Sequence, residues 1–327
     1  MKIIDFLKSR PFIQAIASVV TNANIGGFLT GKIWKGNSKI VCVPGLNCYS
    51  CPGALGACPI GALQAVLGGN KHNFSFYVIG ILILFGVVFG RLICGFLCLF
   101  GFIQDLLYRI PVPKFKIPQR MDRPLRGFKY IVLIVPVITL PILLTNQFGI
   151  ASPYFCQWIC PAGTLQGGIP LVIKNESLRN MLGFLWSWKM SILTFIVVAS
   201  ILTYRPFCKY ICPLGAVYSL FNRFSFYQMH VDKSKCNGCM ICEKKCKMNV
   251  EITKNINSLE CIRCNDCKGV CKGGAITSKF CLKEKKNEVD EVPHICKCVI
   301  IVTHSKKVSS VADEVWGMKD GNLTNVK

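Results

Sequence analysis

Twenty-one of the 327 residues are cysteine, and their spacing is the first chemical signal. Cys236, Cys239, Cys242 and Cys246 follow C-x2-C-x2-C-x3-C, and Cys261, Cys264, Cys267 and Cys271 repeat it. In this arrangement three thiolates of a tight loop converge on one 4Fe–4S cubane while the fourth cysteine ligates the neighbouring one. The spacing therefore assigns Cys236, Cys239, Cys242 and Cys271 to a first cluster, and Cys261, Cys264, Cys267 and Cys246 to a second. Zinc sites and disulfides are the competing uses of cysteine; a duplicated four-cysteine run of this spacing fits neither well. Lys247 and Lys272 stand where a proline commonly follows the fourth cysteine.

A second motif recurs outside these loops. The pairs Cys94/Cys98, Cys156/Cys160 and Cys208/Cys212 share C-x3-C, and Pro161 and Pro213 follow the second cysteine, with Leu99 in the first copy. Gly101, Gly163 and Gly215 complete C-[PL]-x-G, and a related segment carries Cys42, Cys48, Cys51 and Cys58. Proline is tolerated in a first helical turn, so each copy reads as a turn bearing two thiols that feeds a helix. A helix N-terminus stabilises thiolates and an anionic cluster. Buried cysteines that act only as small hydrophobes are the alternative.

The elements that position these thiols are apolar. Charged residues make up 17%, against about 25% in soluble chains, and mean hydropathy is +0.43. Four charge-poor stretches are long enough for the ~20 residues of a membrane span: 11–31, 74–93, 128–147 and 184–204. A cleaved signal peptide is the rival reading of the first. The formal net charge is +23, which in so apolar a chain points to loops beside anionic lipid rather than to nucleic acid. Basic residues crowd the segment from Arg91 to Lys129 and the segment from Arg205 to Arg223. Both termini are therefore expected in the cytoplasm of a multi-pass cell-membrane protein. Cys94, Cys98, Cys208 and Cys212 then collect at the inner face, and Cys48, Cys51, Cys58, Cys156 and Cys160 at the outer face, each group sufficient for a further cubane. A ~30 Å membrane core would separate sites at its two surfaces. Re-entrant segments at 40–70 and 130–173, or a bound flavin, haem or partner subunit, would close that gap. The expected architecture is α-helical with about four transmembrane helices, plus a small α+β double 4Fe–4S module. It divides into a membrane domain at 1–225, the two-cluster domain at 226–280 and a tail at 281–327.

Spans, C-x3-C-P motifs and a paired 4Fe–4S module together resemble the membrane polyferredoxins, which include the NapH-type quinol dehydrogenase subunit and the nitrous-oxide reductase regulator. The resemblance covers roughly residues 1–280 and is most specific over RPFCKYICPLGAVYSLFNR (205–223). Leu99 and the cysteine-rich segment 42–61 depart from the family pattern. The resemblance implies electron transfer between a quinone pool or cytoplasmic donor and a redox partner across the membrane. A thiol–disulfide relay and a metal- or cofactor-assembly factor are the alternatives. Asn22, Asn24 and Gln104 suit either a quinone site or packing between helices. Residues 298–327 resemble the end of an ABC-transporter ATPase, with His304 at the switch position. No G-x-x-x-x-G-K-[ST] loop is present, so no ATPase activity is expected. Cys281, Cys296 and Cys298 show no metal-ligand spacing.

Overall fold

A computed structural model describes residues 9–69, 76–144, 151–280, 316–319 and 322–325. Met1–Leu282 forms one compact unit and Lys283–Lys327 a second. In the second unit, β3 (Trp316–Lys319) pairs antiparallel with β4 (Asn322–Asn325). His304, Cys281, Cys296 and Cys298 lie outside the described residues.

The first unit is mostly helical. Among the described residues two helices are long and apolar enough to cross a membrane, Gln119–Leu143 and Phe184–Leu202. Their outward faces are apolar: Phe195 is 68% and Ile134 56% exposed, a surface that water does not favour. Gln119–Leu143 starts inside the basic loop, earlier than the expected 128–147. Its ladder widens into a π-helix over Leu133–Thr139 around Pro136, which has no N–H to donate. The apolar helix of the second stretch is shorter, Phe76–Phe89. The first stretch is two short helices, Arg10–Thr21 and Ile25–Thr30. Asn22 and Asn24 divide them because their side chains bond backbone: Asn22 Nδ2 donates to Ser18 O (3.0 Å) and Asn24 Nδ2 to Pro52 O (2.9 Å).

The paired-cysteine module is framed by β1 (Tyr227–Val231) and β2 (Ile276–Phe280), antiparallel, with Met229 opposite Ser278. Its two halves share backbone geometry. Gly238 and Arg263, Met240 and Asn265, and Asn249 and Gly274 occupy equivalent places in the two cysteine runs, and all six have positive φ. The turns after Lys247 and Lys272 thus match each other without the usual proline.

Buried polar contacts fasten this module to the helices. Arg91 donates to Leu259 O (2.8 Å) and Glu260 Oε2 (2.7 Å), and Lys129 Nζ lies 2.5 Å from Glu260 Oε1. Both cations are fully buried. Burial works to raise the Glu260 carboxyl, but Arg91 and Lys129 outweigh it and hold its pKa below the ordinary value. Arg263 donates to Phe89 O and Asn222 O, while Asn222 Nδ2 donates to Ser258 O and Cys261 O. A second buried knot joins Asp105 to Arg205 through two bonds (2.7 and 2.6 Å) and to Arg10.

Candidate functional site

Two cavities lie in the paired-cysteine module. One, of ≈100 Å³, is lined by Cys236, Cys239, Cys242 and Cys271. The other, tighter at ≈20 Å³, is lined by Cys246, Cys261, Cys264 and Cys267 among apolar side chains such as Met229 and Ile262. In each, three cysteines come from one run and the fourth from the other. Burial pushes the Cys264 and Cys267 thiols up to about 12, so as free thiolates they would be costly; a bound metal removes that cost by replacing the proton. Cys239 is exposed, which puts the first cavity beside solvent.

The C-x3-C motifs share one local geometry. Cys58, Cys98, Cys160 and Cys212 each cap a helix from an extended conformation, with ψ of 125°, 114°, 107° and 115°. In three copies the second cysteine's N–H donates to the carbonyl of the residue before the first cysteine: Cys98 to Ile93, Cys160 to Phe155 and Cys212 to Phe207. Cys160 Sγ accepts from Gly163 N and Cys212 Sγ from Gly215 N, at 3.4 and 3.3 Å. Amides of the first helical turn have no acceptor within the helix, so these two are free to point at sulfur.

These motifs gather into two sets of four. Burial raises the Cys212 thiol, and repulsion from Cys208, Cys94 and Cys98 raises it further. The same order of causes acts on Cys160, through Cys156, Cys48 and Cys58. The first set is reciprocally braced. Arg91 of one motif donates to Cys208 O (3.2 Å), and Arg205 of the other donates to Cys94 O (2.5 Å). A Cβ at Gly101 would stand 3.2 Å from the Arg205 guanidinium. Burial raises Cys94 most, and Arg91 and Arg205 pull it back. In the second set, a Cβ on Gly167 would meet Cys48 Sγ at 3.3 Å, so glycine there leaves room beside the sulfur. The Cys51 thiol donates to Asn22 Oδ1 at 3.6 Å, and Cys42 pairs by backbone with Ala57. Among the described residues no three His, Cys, Asp or Glu side chains converge tightly enough for a single metal ion. The donor set of each group is instead all sulfur, four thiols and largely buried, which suits a four-iron cluster.

Backbone contacts link the groups in series. Gly95, next to Cys94, packs on Ile262, next to Cys261; a Cβ there would lie 2.5 Å from Ile262 O. Gly45 packs on Cys98, where a Cβ would lie 2.9 Å from its Cα. Three residues further on is Cys48, at most ~11 Å of chain away. Tyr218, fully buried, donates to Pro44 O (2.8 Å) and lies near Cys94, Cys98 and Cys58, whose charges raise its pKa after burial does. The two sets are thus much closer than a ~30 Å membrane core.

The sequence reading named Gln104 but missed its two counterparts, Gln64 and Gln166. Gln64, Gln104 and Gln166 each stand six places after a capping cysteine, an offset that was available in the sequence. Gln104 Nε2 donates to Cys208 Sγ (3.0 Å) and Gln64 Nε2 to Cys156 Sγ (3.2 Å). Asn22 and Asn24 donate to backbone carbonyls, Asn24 to that of the distant Pro52, and Asn22 Oδ1 also accepts from the Cys51 thiol.

Comparison with known proteins agrees with this geometry. A family described as a 4Fe–4S binding domain matches residues 73–118, 131–175 and 184–231, and each stretch contains one C-x3-C pair. An uncharacterized protein of Methanocaldococcus jannaschii is 32% identical over 70% of this chain and 80% of its own length. The regulatory protein NosR of Stutzerimonas stutzeri is 28% identical over 56% of this chain and 24% of NosR. The ferredoxin-type protein NapH of Escherichia coli is 24% identical over 60% of this chain and 64% of NapH. No solved structure matches. The chain belongs to the membrane polyferredoxin-type family of 4Fe–4S proteins, and electron transfer by iron–sulfur centres is its general chemistry.

Proposed function

We propose that this protein is a multi-pass membrane electron carrier that holds four 4Fe–4S clusters in series. Cys236, Cys239, Cys242 and Cys271 would hold the first, and Cys261, Cys264, Cys267 and Cys246 the second. Cys94, Cys98, Cys208 and Cys212 would hold the third, near the cytoplasmic face. Cys48, Cys58, Cys156 and Cys160 would hold the fourth, reached from the outer face. A bound cubane supplies one-electron exchange. The chain's own residues fix the ligand thiols on helix caps, bury them from water and brace the third site with Arg91 and Arg205. They also bring neighbouring ligand segments into contact at Gly95 and Gly45. The observation that carries the reading is the pair of close backbone contacts, Gly95 on Ile262 and Gly45 on Cys98, that join neighbouring ligand segments.

The four apolar stretches, 11–31, 74–93, 128–147 and 184–204, are read as crossing or re-entering the membrane, with both termini cytoplasmic because the basic loops lie on that side. The donor is a quinone pool or a reduced cytoplasmic protein, and the acceptor a redox partner protein. A reduced protein donor would dock where Cys239 reaches solvent, beside Lys235 and Lys272. The test uses proteoliposomes containing the purified protein, an impermeant reductant outside and cytochrome c inside. Reduction of the trapped cytochrome is expected, and its loss in Cys94→Ser/Cys208→Ser. Undiminished transfer in that variant would overturn the third site as a carrier.

A further inference from the structure

Two of the three glutamines at one offset donate to a cysteine sulfur, a contact that ligand spacing does not require, and the third meets the backbone of a cysteine instead. Each belongs to the helix capped by Cys58, Cys98 or Cys160 and is at most 7% exposed. Each reaches across to the first cysteine segment of the opposite motif. Gln64 Oε1 accepts from Phe155 N (3.0 Å), which orients its amide so that Nε2 meets Cys156 Sγ. Gln104 Nε2 meets Cys208 Sγ, while its Oε1 is buried without a partner. Gln166 Oε1 accepts from Cys48 N (2.8 Å), and its buried Nε2 has no partner in the protein. A buried amide N–H left unpaired is costly, and a sulfur-rich anionic group beside Cys48 is the acceptor it lacks. The fourth equivalent position is Tyr218, whose hydroxyl is committed to Pro44 O.

We propose that Gln64, Gln104 and Gln166 are positioning residues that donate N–H···S hydrogen bonds to the clusters at the two C-x3-C sites and raise their reduction potentials. The inference rests on the reading that the C-x3-C cysteines hold clusters. The physical reason is that the reduced cluster carries one more negative charge, so an N–H donor stabilises it more than the oxidised form. Helix-cap amides from Gly163 and Gly215 act in the same direction, but glutamine is the part a substitution can remove without altering the backbone.

The test compares the intact purified protein with Gln104→Leu, a near-isosteric change that deletes the donor, and with Gln64→Leu, which deletes the donor together with the acceptor of Phe155 N. Iron per chain is measured first, then the midpoint potentials by paramagnetic-resonance redox titration. The signals missing from Cys94→Ser/Cys208→Ser and from Cys48→Ser/Cys156→Ser identify the two sites. The expected result is unchanged iron and a lower potential at the matching site alone. At fixed poise its reduced-to-oxidised ratio should fall about tenfold, which is about 59 mV for one electron. Unchanged iron with unmoved potentials overturns the role of the glutamines. Loss of iron in both variants overturns it too, because the glutamines would then serve to hold the site. A parent protein with only the iron of two cubanes, about eight atoms, overturns the underlying reading instead.

Discussion

Replacing Glu260 by alanine should release the paired-cysteine module from the helices without touching any cysteine. Glu260 is 6% exposed and is the carboxylate facing both Arg91 and Lys129, each 0% exposed. Its removal strands two buried cations, a cost of about 3–5 kcal/mol, or roughly two to three and a half powers of ten in the docking equilibrium. Hydrogen exchange of the detergent-solubilised holoprotein reads the effect at Glu260 and Cys261, whose amides donate to Ser258 Oγ and Ser258 O. Exchange there should accelerate by that factor. Adding Lys129→Met to Glu260→Ala should recover part of the loss, because it removes one stranded charge. Because the folded Glu260 pKa is depressed below 4.5, its contribution is complete above that pH and is lost as pH falls through the lower, folded value. Exchange unchanged in Glu260→Ala, or a double variant whose loss equals the sum of its parts, would refute the argument.

Three further outcomes follow from the same geometry. Cys48→Ser should remove about four irons per chain, whereas Cys51→Ser, whose thiol faces Asn22, should leave iron unchanged; equal losses would place Cys51 among the ligands. Gly45→Val should leave iron in place yet slow transfer across the proteoliposome at least severalfold, since a side chain there must push the loop away from Cys98; parental rates would mean that the contact carries nothing. Removing Lys283–Lys327, a unit to itself, should change neither iron content nor transfer, and a variant short of iron would give the tail a structural task.

The cysteine spacings were legible because sulfur ligation to a four-iron cluster confines the ligands to short loops, whatever surrounds them. The mostly helical architecture was legible from charge-free stretches. Local polar chemistry was harder to read. Asn22 and Asn24 look like tolerable interruptions of an apolar run, yet their side chains capture backbone carbonyls and end a helix at Thr21. Pro136 sits within an apolar run, and nothing in the sequence beside it says whether the ladder breaks or widens there. The ion pairs of Glu260 and Asp105 span more than 90 positions, so nothing local announces them. The glutamine offset was visible, but only the donation to sulfur gives it meaning.

The most direct measurement is the iron and acid-labile sulfide content of the purified, anaerobically prepared protein, taken with its spectrum as isolated and reduced. Four cubanes predict about sixteen irons and sixteen sulfides per chain, with paramagnetic signals appearing in successive reductive steps. About eight of each, with the cysteines at 94, 98, 208 and 212 alkylating in the native protein, would contradict the account.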